Sequence, residues 1–395
     1  MVAHRELYER RPAAARLTEF YLFMSLGGVL GGMFAALAAP KLFSTIWEFP
    51  LLVVAGMACR PGVLTARVDA DERRRLIMIG LGGIVALNIA WFGLSSGLVT
   101  RLVPVHVTLL GGMALLALAS RQKPLRQLVL TTLMVATIAM LPSGLNTGTS
   151  ERSFFGVHWI SHRAGQHMRL LMHGTTVHGA ERLIDPVTGN RPLEPVPATY
   201  YYPAGPMAQG VGIARTVAAQ SGHFNVGIVG LGAGSMACYS RPNEAWRFFE
   251  IDPVVVRIAR DPNRFSFLTR CQPNADIVLG DARLTLAKEA AGRFDYLVID
   301  AFSSDSVPVH LLTVEALKLY VDKLAPDGLL ALHVSNRHLD LIGVAGAITH
   351  SVPGLHAMLA DDRLKNDSFD TAQSHVVFVS RSKATMERVA KLSYM

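Results

Sequence analysis

Residues 20–40 form a run of 21 residues without a charged side chain. A helix rising about 1.5 Å per residue spans the roughly 30 Å hydrocarbon core of a bilayer with about 20 such residues. The runs 76–100 and 102–120 are likewise uncharged and long enough. Two others are weaker: 42–59 carries Glu48 and Pro50, and 128–142 is apolar but short. We therefore predict an N-terminal α-helical transmembrane region over 1–150 with four to five helices. Charge supports that division, since residues 1–150 hold 14 Lys/Arg and 7 Asp/Glu, against 24 and 23 in 151–395. Nearly all of the net +8 thus lies in the apolar part, where basic residues flank membrane spans. A general nucleic-acid binder would carry its positive field on the folded domain, so no nucleic-acid partner is expected.

The first run contains Gly27, Gly28, Gly31 and Gly32, small residues that permit close helix packing. Glu48 is either an intramembrane carboxylate, which is costly and often functional, or an interfacial one. Arg60, Arg67, Arg73, Arg74 and Arg75 share one loop, and Arg121, Lys123 and Arg126 another. By the positive-inside rule both loops and the N-terminus face the cytoplasm. Placing 128–142 in the interface keeps the charged C-terminal half there too, so we expect a multi-pass protein of the cell (inner) membrane with a cytoplasmic catalytic domain. No cleavable signal peptide is apparent. Cys59, Cys238 and Cys271 lie far apart in sequence and form no Cys-x-x-Cys pair, which excludes a disulfide framework or four-thiolate zinc site and suits a reducing compartment.

The C-terminal half reads as a small β-strand domain over 151–222 followed by a Rossmann-like nucleoside-binding catalytic domain over 223–395. In the first, 154–160 and 168–173 look like strands, and 185–197 is a Pro-rich connection. In the second, strands at 225–231, 246–251, 275–279, 294–299 and 329–334 alternate with helical stretches, one at 314–324, and 376–379 closes the pattern. This rhythm predicts an α/β doubly wound, mostly parallel sheet of the S-adenosylmethionine methyltransferase type. The first strand runs into Gly230, Gly232 and Gly234, then Ser235, which stands where a dinucleotide fingerprint has its third glycine. Glu250 follows twenty residues after Gly230, at the end of the next strand, where a carboxylate can accept hydrogen bonds from ribose hydroxyls. Gly280 and Asp281 end the third strand. Asp300 ends the fourth and Asp305 follows it, both on the side where doubly wound sheets bind ligands. A carboxylate pair there can bind an amine and take its proton, although Asp305 also fits an ordinary loop cap.

At this point the residues carry a family likeness. Residues 150–345 resemble the spermidine synthase (polyamine aminopropyltransferase) family, and most closely its membrane-fused members. The matching pieces are the Gly230–Ser235 loop, Glu250-Ile-Asp252-Pro, Gly280-Asp281-Ala, Asp300 through Asp305, and the stretch from His173 to His178. The 17–22 stretch with its glycine-rich run, and the segment from His333 to Asn336, are similar to the fused form. The resemblance implies an SN2 transfer of an aminopropyl group from decarboxylated S-adenosylmethionine to a diamine such as putrescine, with methylthioadenosine leaving and no metal required. It implies that Glu250 holds the ribose and Asp281 the adenine, that Asp300 is the general base, and that Asp305 and Tyr201 hold the amine.

Three departures keep other readings open. Soluble members carry Asp in the glycine loop where this chain has Ala233; the Asp-x-x-Asp spacing stretches to that of Asp300 and Asp305; and Pro203 follows Tyr202 where a Glu is usual. Ala233 favours an ordinary S-adenosylmethionine-dependent methyltransferase, and the fusion itself favours a non-catalytic polyamine sensor. The segment from His4 to Pro12 resembles an internal part of longer fused members, which implies a separately encoded upstream membrane half; a homo-oligomer is the remaining partner expectation. His158, His162, His167, His173 and His178 crowd into 21 positions without a helical His-Glu-x-x-His context, so we read them as neutral histidines near the cleft rather than metal ligands.

Overall fold

A computed structural model describes residues 2–63, 65, 67–95, 102–140, 148–163, 167–219, 221–301, 308–336, 338–363 and 368–392. The chain divides into two compact units, Met1–Gly144 and Leu145–Met395.

The first unit is helical. Among the described residues one helix, Ala14–Leu42, is long and apolar enough to cross a membrane. Pro40 has no N–H to give the preceding turn, and the helix widens to a π turn at Phe34–Ala38 just before it. The other apolar helices that meet the composition test are shorter: Glu48–Ala58, Val107–Ala119 and Pro124–Ala139. Of the four to five spans expected, one helix among the described residues is long and apolar enough, and the 76–100 run, in helix Ala70–Ser95, lies partly outside the described residues. Glu48 does not interrupt a helix but opens one, where a carboxylate offsets the helix dipole by roughly 0.3–1 kcal/mol. The expected close packing at Gly27, Gly28, Gly31 and Gly32 is not made, since nothing among the described residues approaches their Cβ positions within 4 Å. It occurs instead at Gly83, where a Cβ would lie 2.4 Å from Leu133 Cδ1. Helix Pro124–Met140 buries Leu130, Leu133 and Thr137 within the bundle, so it is no solitary interfacial helix. Arg126 pairs with Glu72, and Arg60 donates to the Arg121 carbonyl at 3.0 Å, which puts both Arg-rich loops at one end of this unit.

The second unit carries two sheets. Strands β1 (Gly148–Ser153), β2 (Gly156–Arg163), β3 (Met168–His173) and β4 (Thr176–Arg182) form an antiparallel meander. Phe154 and Phe155 make the turn between β1 and β2 rather than starting a strand. The larger sheet contains β5 (Asn225–Val229), β6 (Ala245–Glu250), β7 (Asp276–Leu279), β8 (Phe294–Ile299), β9 (Leu324–His333), β10 (His356–Asp362) and β11 (Ser374–Ser380), in the order β10-β11-β9-β8-β5-β6-β7. The strands from β7 across to β9 are parallel, and β11 runs antiparallel between β9 and β10. This is the methyltransferase-like Rossmann α/β architecture, with a mixed edge. Helix Val314–Lys323 stops before Pro326, and β9 absorbs 325–328 as a bulge: Leu324 pairs with Phe294, but Leu329 with Tyr296.

Both faces of the sheet are covered, which explains why its strands read as near-continuous apolar runs. One face packs on helices Pro206–Ala218 and Lys383–Val389, the other on Val314–Lys323 and Leu341–His350. Gly210 lets the first of these sit close: a Cβ there would lie 2.4 Å from the Tyr296 hydroxyl, which itself donates to the Met207 carbonyl at 2.9 Å. That contact anchors the helix directly after the tyrosine turn Thr199–Tyr201. Cys238 and Cys271, 33 residues apart, form a disulfide between the turn after the glycine loop and helix Phe267–Cys271. The sequence reading does not foresee this single bridge, and the reducing compartment loses its support. Cys59 is free.

Candidate active site

In the sheet order β5 is flanked by β6 on one side and β8 on the other, and the crevice beyond their carboxyl ends is where doubly wound sheets hold ligands. A cavity of about 310 Å³ opens there. Gly230 leaves β5 at φ +94°, and a Cβ on it would lie 2.1 Å from the Asp300 carbonyl oxygen. Gly232, at φ +53°, would meet the His178 carbonyl at 2.5 Å. Any side chain at either position collides with backbone, so the glycines both make the turn and bring the loop against β4 and β8. Gly230 and Gly232 line the cavity, while Gly234, also in the left-handed region, packs behind it against Leu268.

Glu250 ends β6 on the cavity wall. Its two oxygens accept from Leu231 N at 3.0 Å and Asp252 N at 2.9 Å, which aims the remaining lone pairs away from the backbone. Burial pushes its carboxyl above the usual glutamate range, against the pull of those two N–H groups. Asp252 caps helix Pro253–Arg260 and accepts from His158 Nε2 at 2.8 Å and Ser153 Oγ at 2.5 Å. Burial opposes its charge, but these donors outweigh it and hold the carboxyl low. Asp281 caps helix Ala282–Ala287 through Arg283 N and Leu284 N, and its other oxygen meets His310 Nε2 at 3.0 Å.

Asp300 leaves β8 on the same wall and is 7 % exposed. One carboxylate oxygen accepts from the Tyr201 hydroxyl, and the other lies 2.6 Å from His333 Nδ1. Burial would raise its carboxyl; the charge and hydrogen bond of His333, with Tyr201, reverse that and hold it below the usual aspartate range. Burial pushes the Tyr201 phenol far up, so it stays a donor. Tyr201 meets this cavity through Asp300 rather than lining it. The turn that delivers it contains Thr199 at φ +60°, a strained conformation for a β-branched residue. Asp305 lies outside the described residues.

Of the five clustered histidines, His158, His173 and His178 line the cavity, with ring centroids 4.9 and 5.9 Å apart along the row. Burial and neighbouring imidazoles lower His173 and His178 to about 4, so both are neutral at physiological pH. His162 and His167 are not on this wall. The sequence reading missed the two histidines that grip the acids, His310 on Asp281 and His333 on Asp300. His333 offered one signal: it ends the strand beside Asp300, at the carboxyl ends of the strands where doubly wound sheets bind ligands.

Ala233 is fully buried, against Gly179, Ile160, Leu171 and Phe265, and is absent from the cavity wall. We therefore expect Ala233→Asp not to create a grip for a donor amine. It should bury an unpaired carboxylate and cost roughly 3–5 kcal/mol, read as a lowered unfolding midpoint. Normal stability together with tighter donor binding would show that the side chain reaches the ligand.

No family model matches the chain. A stretch of 108 residues is 32% identical to the polyamine aminopropyltransferase of Vibrio vulnificus, covering 26% of this chain and 35% of that protein. The chain resembles the polyamine aminopropyltransferases. The match spans about a third of that aminopropyltransferase's length. Among solved structures, a probable spermidine synthase from Corynebacterium glutamicum aligns over 62% of this chain and 88% of its own, at 18% identity and TM-score 0.44. The spermidine synthase from Thermotoga maritima aligns over 60% and 78%, at 16% identity and TM-score 0.37. Human methyltransferase-like protein 13, solved with SAH, aligns over 47% and 87%, at 20% identity and TM-score 0.35.

Proposed function

We propose that this chain is a membrane-associated aminopropyltransferase-like enzyme acting on decarboxylated S-adenosylmethionine and a diamine such as putrescine. The observation that carries the reading is Asp300: a buried carboxylate held ionised, on the wall of one cavity with Glu250 and Asp281. The residues fit a nucleoside donor. Gly230 and Gly232 line the cavity and let the loop turn where any Cβ would strike backbone, Glu250 turns lone pairs to ribose hydroxyls, and Asp281 stands by the adenine. The donor supplies a sulfonium leaving group, so positioning dominates the rest of the rate enhancement. Asp300 takes a proton from the substrate ammonium. The freed nitrogen lone pair attacks the aminopropyl carbon bound to sulfur, and the C–S electron pair leaves with methylthioadenosine. Asp305 is the proposed second contact to the amine. Helix Ala14–Leu42 is the proposed anchor, and the two Arg-rich loops at one end of the helical unit favour a multi-pass, cytoplasm-facing arrangement by the positive-inside rule.

One observation favours a second reading. With Ala233 sealed in apolar surroundings, no loop carboxylate meets a donor amine, which suits intact S-adenosylmethionine and methyl transfer. The test supplies detergent-purified protein and mixed diamines with either donor, and follows products by mass spectrometry. Methylthioadenosine with an amine heavier by one aminopropyl group is expected. S-adenosylhomocysteine from the intact donor instead would mean a methyltransferase, and binding without either product would mean a sensor.

A further inference from the structure

We propose that His333 is a positioning residue for Asp300: held from behind by Ser335, its Nδ1–H fixes one carboxylate oxygen so that the remaining lone pairs face the cavity. The proposal rests on reading Asp300 as the amine's base. Strands β8 and β9 are parallel neighbours with Ile299 paired to Leu332, so Asp300 and His333 leave the sheet side by side. His333 Nδ1 lies 2.6 Å from Asp300 Oδ1, and Nε2 lies 2.8 Å from Ser335 Oγ. Ser335 Oγ in turn accepts from His375 N at 2.8 Å, at the start of β11.

The direction of these bonds follows from donor and acceptor capacity. An ionised carboxylate only accepts, so Nδ1 carries a hydrogen and donates it to Asp300. Nε2 meets the Ser335 hydroxyl, whose oxygen takes a hydrogen from the His375 amide. The chain of bonds links the backbone of β11 to Asp300. Tyr201 secures the opposite oxygen from the tyrosine turn, and Tyr200 lies against the imidazole at 4.7 Å between centroids. His333 is buried and does not line the cavity, so it acts through Asp300 alone.

Two substitutions separate positioning from packing. Asn places its Nδ2 where the imidazole has Nδ1, whereas Leu donates nothing. We expect His333→Leu to lower kcat roughly 10- to 100-fold, the loss of one hydrogen bond to a charged group, with methylthioadenosine affinity by calorimetry unchanged. The acid limb of kcat/KM should move to higher pH, because Asp300 loses a bond to its charged form. The groups facing Asp300 are Tyr200 and Tyr201 from the turn, His178 from β4 and His333 from β9. His333→Asn should recover most of kcat and return the acid limb. Equal impairment of the Leu and Asn variants, or an unmoved acid limb, overturns the proposal. If the wild type transfers no aminopropyl group, the reading of the reaction fails separately. The imidazole ¹⁵N shifts then decide the pairing: Nδ1–H is expected in the wild type, shifting toward Nε2–H in Asp300→Ala. An Nε2–H ring in the wild type overturns the proposal whatever the reaction.

Discussion

Asp300→Asn is expected to lower kcat by about 10²–10⁴-fold, the usual contribution of a positioned general base, while leaving methylthioadenosine binding near that of the wild type. The substitution keeps the shape of the side chain but removes its capacity to take a proton. Its amide oxygen can still accept from Tyr201 or His333, so the fold around β8 should persist and the unfolding midpoint should stay close to the wild-type value. The neighbours do not substitute for the base. Tyr201 is a donor with its phenol pushed far up, and His173 and His178, near 4, are neutral and offer the substrate ammonium no negative charge. Single-turnover measurement with saturating donor gives the test. A rate unchanged within error would remove Asp300 from the reaction. Lost nucleoside binding would move it to the donor subsite.

The parts of this site legible in the sequence are those written locally. A β-branched strand, a glycine turn and a carboxylate at the next strand's end fall within a few dozen residues, which is how Gly230, Glu250, Asp281 and Asp300 could be placed beforehand. What stayed hidden depends on pairing across the fold. Tyr201 and Asp300 are 99 residues apart, His158 and Asp252 94, and His333 and Asp300 33. The Cys238–Cys271 bridge is hidden in the same way, because helix Phe267–Cys271 meets the loop only after both have packed on the sheet. Strands β1 and β4 escaped for a different reason. Gly148–Ser153 has no apolar alternation, and Thr176–Arg182 is mostly polar at its ends, so pairing with neighbours makes them strands rather than burial of one face. In the helical part, a run without charge need not be one helix. Residues 42–59 contain the break before Glu48.

Glu250→Gln should weaken nucleoside binding by roughly 1.5–3 kcal/mol, about 10- to 100-fold, the worth of hydrogen bonds made to a charged acceptor. Both wild-type oxygens are committed to backbone N–H groups, of Leu231 in the glycine loop and Asp252 at the helix cap. A glutamine satisfies one and turns its own NH₂ toward the other, so the variant loses an acceptor for the ribose and also pushes the loop off its seat. The effect belongs in Kd for methylthioadenosine, with kcat at saturating donor reduced far less, since Glu250 meets no reacting atom in the proposed reaction. The pH dependence provides an internal control. Burial raises the Glu250 carboxyl, so protonation begins at higher pH than for an exposed glutamate. Each proton gained removes acceptor capacity. Wild-type affinity should therefore fall on acidification through that raised range, and the glutamine variant should lack this limb, being already neutral. Calorimetry at several pH values reads both effects together. Equal affinity of the two proteins at neutral pH, or the same acid limb in both, would take the ribose role away from Glu250 and leave it as a brace for the glycine loop.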